Sequence, residues 1–270
     1  MNKKRLMFFF VILTSVLMLF LFMLNCFSSD LAKRSSLSVH DLTKLTVKEV
    51  FGSIFQSGSQ PPGVKRYKGA KMISLPKPDF TGELLEKTIQ KRRSVRNYTD
   101  VKITLSELSQ LLFAAQGMTG YEQGYAFRTA PSAGALYPLE IYAVAMRVEG
   151  VDPGIYHYVI GSHELELVKS GNLKRRLIDA ALGQEMVGEA AVTFIISAVF
   201  DRMTFKYGER GYRYVYIEAG HVSQNLFLQS TSLGLGSVCV GAFYDDKMNA
   251  LINVDGKDEA VIYLHSVGNI

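Results

Sequence analysis

The chain has 270 residues, and its 30 Lys and Arg against 25 Asp and Glu leave a net charge of +5, too small for dedicated nucleic-acid binding. Hydrophobic residues at 48% and charged residues at 20% are typical of a globular protein with one good core, which excludes a wholly disordered chain or a coiled coil. Two cysteines, Cys26 and Cys239, are too few for a disulfide framework or an iron–sulfur cluster, and the five histidines lack metal-ligand spacing. We therefore expect neither a nucleic-acid partner nor a metal.

The N-terminus carries a targeting signal by its composition. Three cations at residues 3–5 precede an apolar run over residues 6–24 that is long enough to span a bilayer. Residues 1–26 are thus predicted to be a membrane anchor or signal segment, with the globular part outside the cytoplasm. Cys26 follows the run directly, as a lipid-modified cysteine would, so that a signal anchor and a lipoprotein both stay open.

The rest of the chain is predicted to be a tether over residues 27–74 and one α+β domain over residues 75–270. Thr104 and Glu107 form a capping box at the start of one helix, and Gly117 ends it. Further helices are expected around residues 84–93, 172–182, 212–232 and 246–252. Strands are expected at residues 141–146, 155–159, 165–168, 191–199, 238–241 and 260–267. Helices and strands interleave without a regular βαβ repeat, which favours the α+β class.

A cationic cluster ends the first of these helices. Arg92, Arg93, Ser94 and Arg96 place three guanidinium groups and a hydroxyl within five residues, a set that suits a phosphate monoester. The alternative is a solvated helix end whose charges complement the helix dipole.

A run of small residues lies between Pro131 and Pro138. Ser132, Ala133, Gly134 and Ala135 would let backbone groups approach a flat ligand closely, as the edge of an isoalloxazine ring requires. Taken alone, the run also fits a tight turn.

Four motifs in this order make the sequence recognisable. R-R-S-x-R, P-S-A-G-x-L-Y-P, E-A-G-H-x-x-Q-N and L-G-L-G together resemble the nitroreductase family of FMN enzymes, and most closely its streptolysin-type (SagB-like) dehydrogenase branch. The resemblance covers residues 75–270. It implies an α+β fold with a central mixed or antiparallel sheet flanked by helices, and an interlocked homodimer that holds FMN at the subunit interface.

The resemblance also assigns residues to the cofactor. Arg92, Arg93, Ser94 and Arg96 match the segment that contacts the FMN phosphate and ribityl chain. The residues matching the segment under the ring of the partner subunit's flavin are Ser132, Ala133, Gly134 and Ala135, and those matching the backbone near flavin N5 are Val240 and Gly241. Many relatives carry a basic residue after the final strand's glycine, whereas this chain has Asn269 after Gly268, which removes one phosphate contact.

The segment K-Y-G-E-R resembles the K-Y-G-x-R segment of azoline-oxidising relatives. It predicts Lys206 and Tyr207 as a catalytic acid–base pair that faces the flavin, although both could merely pack before the long helix. His221, Gln224 and Asn225 share one face of that helix and are interpreted as packing groups.

The expected function is an FMN-dependent oxidoreductase that transfers hydride through flavin N5, acts on a small molecule or peptide, and draws on NAD(P)H as electron donor. One alternative is a peptide thiazoline or oxazoline dehydrogenase. The other is a flavin-binding redox sensor without turnover.

Overall fold

A computed structural model describes residues 43–44, 61–122 and 124–270. The chain divides into two compact units between Leu45 and Thr46, and every strand and helix named in this paragraph belongs to the second unit. Its strands are β1 Met72–Ser74, β2 Met118–Glu122, β3 Tyr125–Arg128, β4 Leu139–Ala145, β5 Gly154–Val159, β6 Glu164–Ser170, β7 Val192–Val199, β8 Gly236–Val240 and β9 Glu259–Gly268. The helices are α1 Leu85–Lys91, α2 Leu105–Gln116, α3 Lys174–Ala180, α4 Met186–Glu189, α5 Asp201–Tyr207, α6 Arg210–Ser232 and α7 Asp245–Ile252.

Seven of the strands form one antiparallel sheet in the order β1-β6-β5-β4-β7-β9-β8, while β2 and β3 pair only with each other. Successive side chains of a strand point to opposite faces, so β4 supplies two cores. Ile141 and Ala143 lie in the core beneath α2 and α6, whereas Tyr142 and Val144 face the core formed with α3 and α7. The predicted α+β fold, an antiparallel sheet flanked by helices, is confirmed.

Local sequence signals explain where α2 begins and ends. The Thr104 hydroxyl accepts from the backbone N–H of Glu107 at 3.1 Å, and the Glu107 carboxylate accepts from the backbone N–H of Thr104 at 2.7 Å. This reciprocal pair is the predicted capping box. The helix stops at Gly117, whose N–H still bonds to Phe113. The 23-residue α6 packs against α2 and carries residues of the candidate site.

Residues 61–74, which the sequence assigned to the tether, contact the sheet. β1 pairs with β6, and Lys65 donates to the Tyr142 hydroxyl at 2.7 Å. The Tyr67 hydroxyl lies 3.0 Å from the same oxygen. The boundary at residue 75 stays a prediction.

The prediction of a membrane-attached, extracytoplasmic protein requires correction. None of the helices described over residues 61–122 and 124–270 is both long and apolar enough to cross a bilayer. The segment that suggested the anchor, residues 1–26, lies outside the described residues. Membrane attachment is therefore not part of the proposed function.

Candidate functional site

Lys206 and Tyr207 converge on Gly134. Measured from the position that a Cβ atom on Gly134 would occupy, the Tyr207 hydroxyl is 2.8 Å away and Lys206 Nζ is 2.9 Å away. The sheet explains the meeting: Leu139, the first residue of β4, pairs with Ala198 near the end of β7. The loop before β4 and the helix after β7 therefore leave the sheet side by side.

The loop before β4 has a strained backbone. Gly134, Ala135 and Tyr137 have φ values of 62°, 54° and 47°, in the left-handed region that favours glycine. Each non-glycine residue held there costs on the order of 1–3 kcal/mol, so surrounding contacts must hold the loop in place. Two hydrogen bonds hold the loop. The Tyr137 N–H donates to Ser132 Oγ at 2.9 Å, and the Arg128 N–H donates to the Tyr137 hydroxyl at 3.1 Å.

The predicted phosphate-binding residues lie at the start of β8. Ser94 forms an isolated parallel bridge with Ser237, and the Arg92 guanidinium lies 5.0 Å from the centre of the Phe227 ring. The Arg93 guanidinium donates to backbone carbonyls in its own segment. Within the described part of the chain, no ion pair involves Arg92, Arg93 or Arg96. Their charges are thus not neutralised by a neighbouring carboxylate there.

Val240 and Gly241 lie at the other end of β8. Gly241 follows Ser237 by four residue steps, about 13 Å of extended strand. Val240 is buried and Gly241 is exposed, and a Cβ atom placed on Gly241 would lie 3.7 Å from the Tyr263 ring. The two predicted ends of the cofactor segment therefore flank one strand.

The predicted cofactor residues form two groups in one chain. β4 and β8 are three strand positions apart in the sheet, about 14 Å. Helix α6 gives the same separation: Glu218 lies by Ser132 and Phe227 lies under Arg92, nine residues or about 14 Å along the helix axis. The Arg92–Arg96 segment with β8 and the Ser132–Ala135 segment with Lys206 are thus two separate groups of predicted site residues, called the two half-sites below.

A cavity of about 450 Å³ opens behind the loop. Its lining combines the loop with charged and aromatic side chains, among them Lys206, Arg128, Glu140, His157 and Tyr158. The volume is within the range of small-molecule sites.

A buried chain of charges forms the floor of this cavity. His157 Nδ1 lies 2.7 Å from a Glu166 oxygen, and its Nε2 lies 2.9 Å from a Glu140 oxygen. The His157 ring is thus held between two buried carboxyl groups, which fix its orientation. Burial tends to raise the pKa of Glu140, but the hydrogen bond from His157 and the charge of Arg202 outweigh it and lower the pKa. Arg202 lies 2.7 Å from Glu140 and so anchors α5.

A second buried carboxyl lies behind the loop. Burial raises the pKa of Glu218 to about 7, although hydrogen bonds from Ser132 and Gln116 and the charge of Arg128 oppose the shift. The bond from Gln116 Nε2 is 3.3 Å long. Sequence reasoning gave no role to Glu218, Gln116 or Arg128.

The sequence does contain a signal for these buried groups. Glu140 stands in an otherwise apolar strand, L-E-I-Y-A-V-A, where an unpaired charge would be costly. A charge in such a run therefore calls for a buried partner. His157, one of the five histidines without metal-ligand spacing, likewise lies in the fully buried β5.

The fold is an antiparallel α+β sheet with a glycine-centred loop next to Lys206 and Tyr207, and the sequence comparisons identify the family. The sequence profile of the nitroreductase family matches residues 89–269, and the chain belongs to this family. Membership implies oxidoreductase activity.

Relatives of different kinds match the chain. A Methanocaldococcus jannaschii protein, by name a nitroreductase, is 46% identical over 177 residues, which cover 66% of this chain and 88% of the relative. A crystal structure from Anabaena variabilis, also a nitroreductase by name, is 32% identical with a TM-score of 0.67 and covers 79% of this chain and 45% of that one. The microcin B17-processing protein McbC of Escherichia coli is 27% identical over 63% of either chain. This chain thus spans less than two thirds of McbC.

Proposed function

We propose that the protein is an FMN-dependent oxidoreductase whose catalytic pair is Lys206 and Tyr207. The observation that carries the proposal is the approach of both side chains to Gly134, in the loop that family resemblance places under the flavin ring. Two polar groups there, within reach of one backbone position, are where an acid–base pair would serve a substrate bound over that ring.

The residues present fit FMN on two observations. Arg92, Arg93 and Arg96 lack carboxylate partners in the described structure, as donors reserved for a phosphate would. The backbone at Gly134 carries no side chain, so a flat ligand could approach it closely. Asn269, where many relatives carry a basic residue, donates to the carbonyls of Val101 and Lys102 and brings no charge to a phosphate. The phosphate would then be held by the arginine segment with Ser94, and the ring by Ser132–Ala135 and by Val240 with Gly241.

We propose that the active form is a homodimer. Family resemblance assigns the Ser132–Ala135 loop to the flavin of the partner subunit, so a second copy that brings its loop to the arginine segment would complete each site. Exposed apolar side chains around α1 supply a surface for association, including Phe80, Leu84, Leu85 and Ile89. The same arrangement makes residues 75–270 the flavin-binding domain.

Bound FMN would supply the site with a hydride acceptor and donor. The protein's part is to hold and move protons. Lys206 is exposed and Tyr207 half-buried, and the lysine nitrogen lies 5.4 Å from the tyrosine ring centre. A substrate seated in the cavity behind the loop would meet Lys206, which lines it, with NAD(P)H as the electron donor that uses the same opening.

A second candidate is a peptide azoline dehydrogenase of the SagB-like branch. The Lys–Tyr pair and the similarity to McbC, named for processing microcin B17, favour it. In that reaction hydride leaves a ring carbon while a base removes a proton from the neighbouring atom, a task for Lys206 or Tyr207. The redox-sensor alternative gives neither this pair nor the cavity a task.

The test is to purify the full-length chain and measure its flavin. We expect a yellow, dimeric protein that releases one non-covalent FMN per chain on denaturation. A folded dimer that stays colourless after incubation with FMN would refute the proposal. Reduction of the bound flavin by NADPH, compared with reduction by a thiazoline-containing peptide, then separates the two candidates.

A further inference from the structure

The cavity behind the loop is lined by two cations that have no carboxylate partner. Arg128 and Lys206 both line it, and neither forms an ion pair with another described residue. Lys65 also lines the cavity but is paired with a carboxylate of β9. Glu140, the acidic residue of the described lining, is paired with Arg202 at 2.7 Å. The described lining therefore offers free positive charge and no free negative charge.

The Arg128 guanidinium is held in position while most of its donors stay unused. Its Cζ lies 4.3 Å from the centre of the Tyr137 ring, and its Nη1 donates to Gln116 Oε1 at 3.4 Å. A guanidinium has five N–H donors, and this is the one side-chain hydrogen bond that Arg128 makes to the described residues. Its Nε is buried without an acceptor there. An arginine that is ordered by stacking and has donors to spare matches the two oxygens of a carboxylate.

The surroundings of Arg128 do not neutralise its charge. Burial lowers the pKa of Arg128, and the charges of Glu140 and Glu218 oppose this shift without reversing it. Neither carboxyl forms an ion pair with the guanidinium, and Glu140 is already engaged by Arg202. A partly buried cation that lacks a counter-charge is costly, so an anion bound beside Arg128 would offset part of that cost.

The two cations meet the same loop at different residues. Arg128 stacks on Tyr137, whereas Lys206 approaches Gly134. The lining also contains apolar and aromatic side chains, among them Met118, Leu136, Val159, Ile160 and Phe205. Small-molecule sites commonly have this character, with a few polar groups that orient an otherwise apolar ligand.

We propose that Arg128 is a substrate-binding residue that holds a carboxylate of the substrate, with the apolar body of the substrate along the cavity lining and its reacting end at Lys206. The substrate class is then an apolar or aromatic compound with a carboxylate. The inference deepens the proposed function and rests on it for the reaction at Lys206. Binding of the carboxylate needs only the residues of the cavity.

The experiment is isothermal titration of the full-length protein with para-nitrobenzoate and with para-nitrobenzamide, in the absence of an electron donor. The two probes have the same ring and nearly the same size and differ in charge at one end. The wild type should bind the acid about 10- to 100-fold more tightly, because a hydrogen bond to a charged group is worth about that factor. Arg128→Met keeps an apolar contact for Tyr137 and should bind both probes equally. Arg175→Met, which removes an exposed cation of α3, should keep the preference.

Two further variants test the assignment to Arg128. Arg128→Lys keeps the charge without the planar fork and should show a reduced preference for the acid, which decides the question if Arg128→Met does not fold. Lys206→Met should keep most of the preference. A wild-type preference in either Arg128 variant would overturn the inference, as would its loss in Lys206→Met alone.

The same titration with a thiazoline-containing peptide, with a free or an amidated C-terminus, tells whether the carboxylate belongs to a small acid alone or also to the end of a peptide. Equal binding of all matched probes by the wild type, or no binding, would overturn the inference. A yellow protein without the preference would refute this inference and leave the proposed function standing. A colourless protein whose preference depends on Arg128 would refute the proposed function and leave the carboxylate site standing.

Discussion

Nη2 of Arg202 lies 2.7 Å from Oε1 of Glu140, and both side chains are 4% exposed. Arg202 also donates from Nε to the Pro62 carbonyl at 2.8 Å. It lies four residues before Lys206 on α5, so this buried pair fixes the first turn of the helix that carries the proposed catalytic pair. A substitution that breaks the Arg202–Glu140 ion pair should therefore also displace Lys206.

Arg202→Met should destabilise the protein by about 3–5 kcal/mol, because it leaves a carboxylate buried without its main counter-charge. The matched control is Lys87→Met, which removes a partner of Glu83 at 3.9 Å on the exposed face of α1 and should cost less than about 1 kcal/mol. Urea unfolding followed by circular dichroism measures both. Equal, small losses would show that the buried pair does not anchor α5.

Arg92→Ala or Arg96→Ala should weaken FMN binding about 10- to 100-fold, because a hydrogen bond to a charged group contributes about 1.5–3 kcal/mol. Riboflavin, which lacks the phosphate, should lose far less. Arg175→Ala, on the exposed side of α3, serves as the control for loss of one cation. Equal losses for the two flavins in isothermal titration would assign these arginines to folding or to the ring.

Lys206→Ala and Tyr207→Phe should each slow oxidation of a thiazoline-containing peptide by about 10²-fold or more, the usual contribution of a general acid or base. Flavin reduction by NADPH passes a hydride without proton abstraction by the protein and should keep its rate. Stopped-flow absorbance at the flavin band measures the rate of flavin reduction by the peptide and, separately, by NADPH. Slowing of both by the same factor, with lost flavin, would indicate packing instead.

The stability of the apoprotein should fall as pH rises from about 4.5 to 7 through the contribution of Glu218. Its folded pKa, about 7, lies above the usual value of 4.5, so the folded state binds more protons in this window and loses that advantage on ionisation. The contribution is on the order of 3 kcal/mol.

The measurement is the difference in unfolding free energy between wild type and Glu218→Gln at pH 5 and pH 8. His265, whose pKa burial lowers to about 3, destabilises the fold as pH drops below its usual value of 6.5, but it does so in both proteins and cancels. A difference that does not change with pH would mean that Glu218 titrates normally.

Leu85→Glu or Ile89→Glu should shift the full-length protein towards monomer, because each adds a charge to the exposed apolar surface of α1. Sedimentation velocity measures the change. Lys87→Glu, on the same helix, is the control for charge alone and should leave the dimer intact. A chain whose wild type sediments as a monomer, yet binds FMN, would contradict the homodimer proposal.

Elements with a strong local pattern could be predicted from the sequence. The capping box at Thr104 and the apolar strands β4 and β7 follow from neighbouring residues alone. Helix α5 could not be predicted, because D-R-M-T-F-K-Y lacks an apolar stripe and its position depends on the contact of Arg202 with Glu140. The β2–β3 hairpin was missed because its exposed strands show no buried face.

In the candidate site, too, some residues could be predicted from local sequence and others could not. Its loop has a recognisable composition, P-S-A-G, which is visible in the sequence. The groups behind that loop come from three distant segments, Gln116, Arg128 and Glu218, and meet only through the packing of α2 and α6. Spacing along a chain carries no information about such contacts. Glu218 is visible in the sequence only as the first residue of the E-A-G-H-x-x-Q-N motif, which gives it no role.

The approach of Lys206 and Tyr207 to Gly134 makes the three positions dependent on one another in sequence variation. Gly134→Ala puts a methyl group within 3 Å of both side chains and strains the backbone as well, so it should damage the protein by itself. Shortening Tyr207 removes one of the two collisions, and the double variant should therefore lose less than the sum of the single ones. Among homologous sequences, those with a larger residue than glycine at position 134 should have a smaller residue at position 206 or 207.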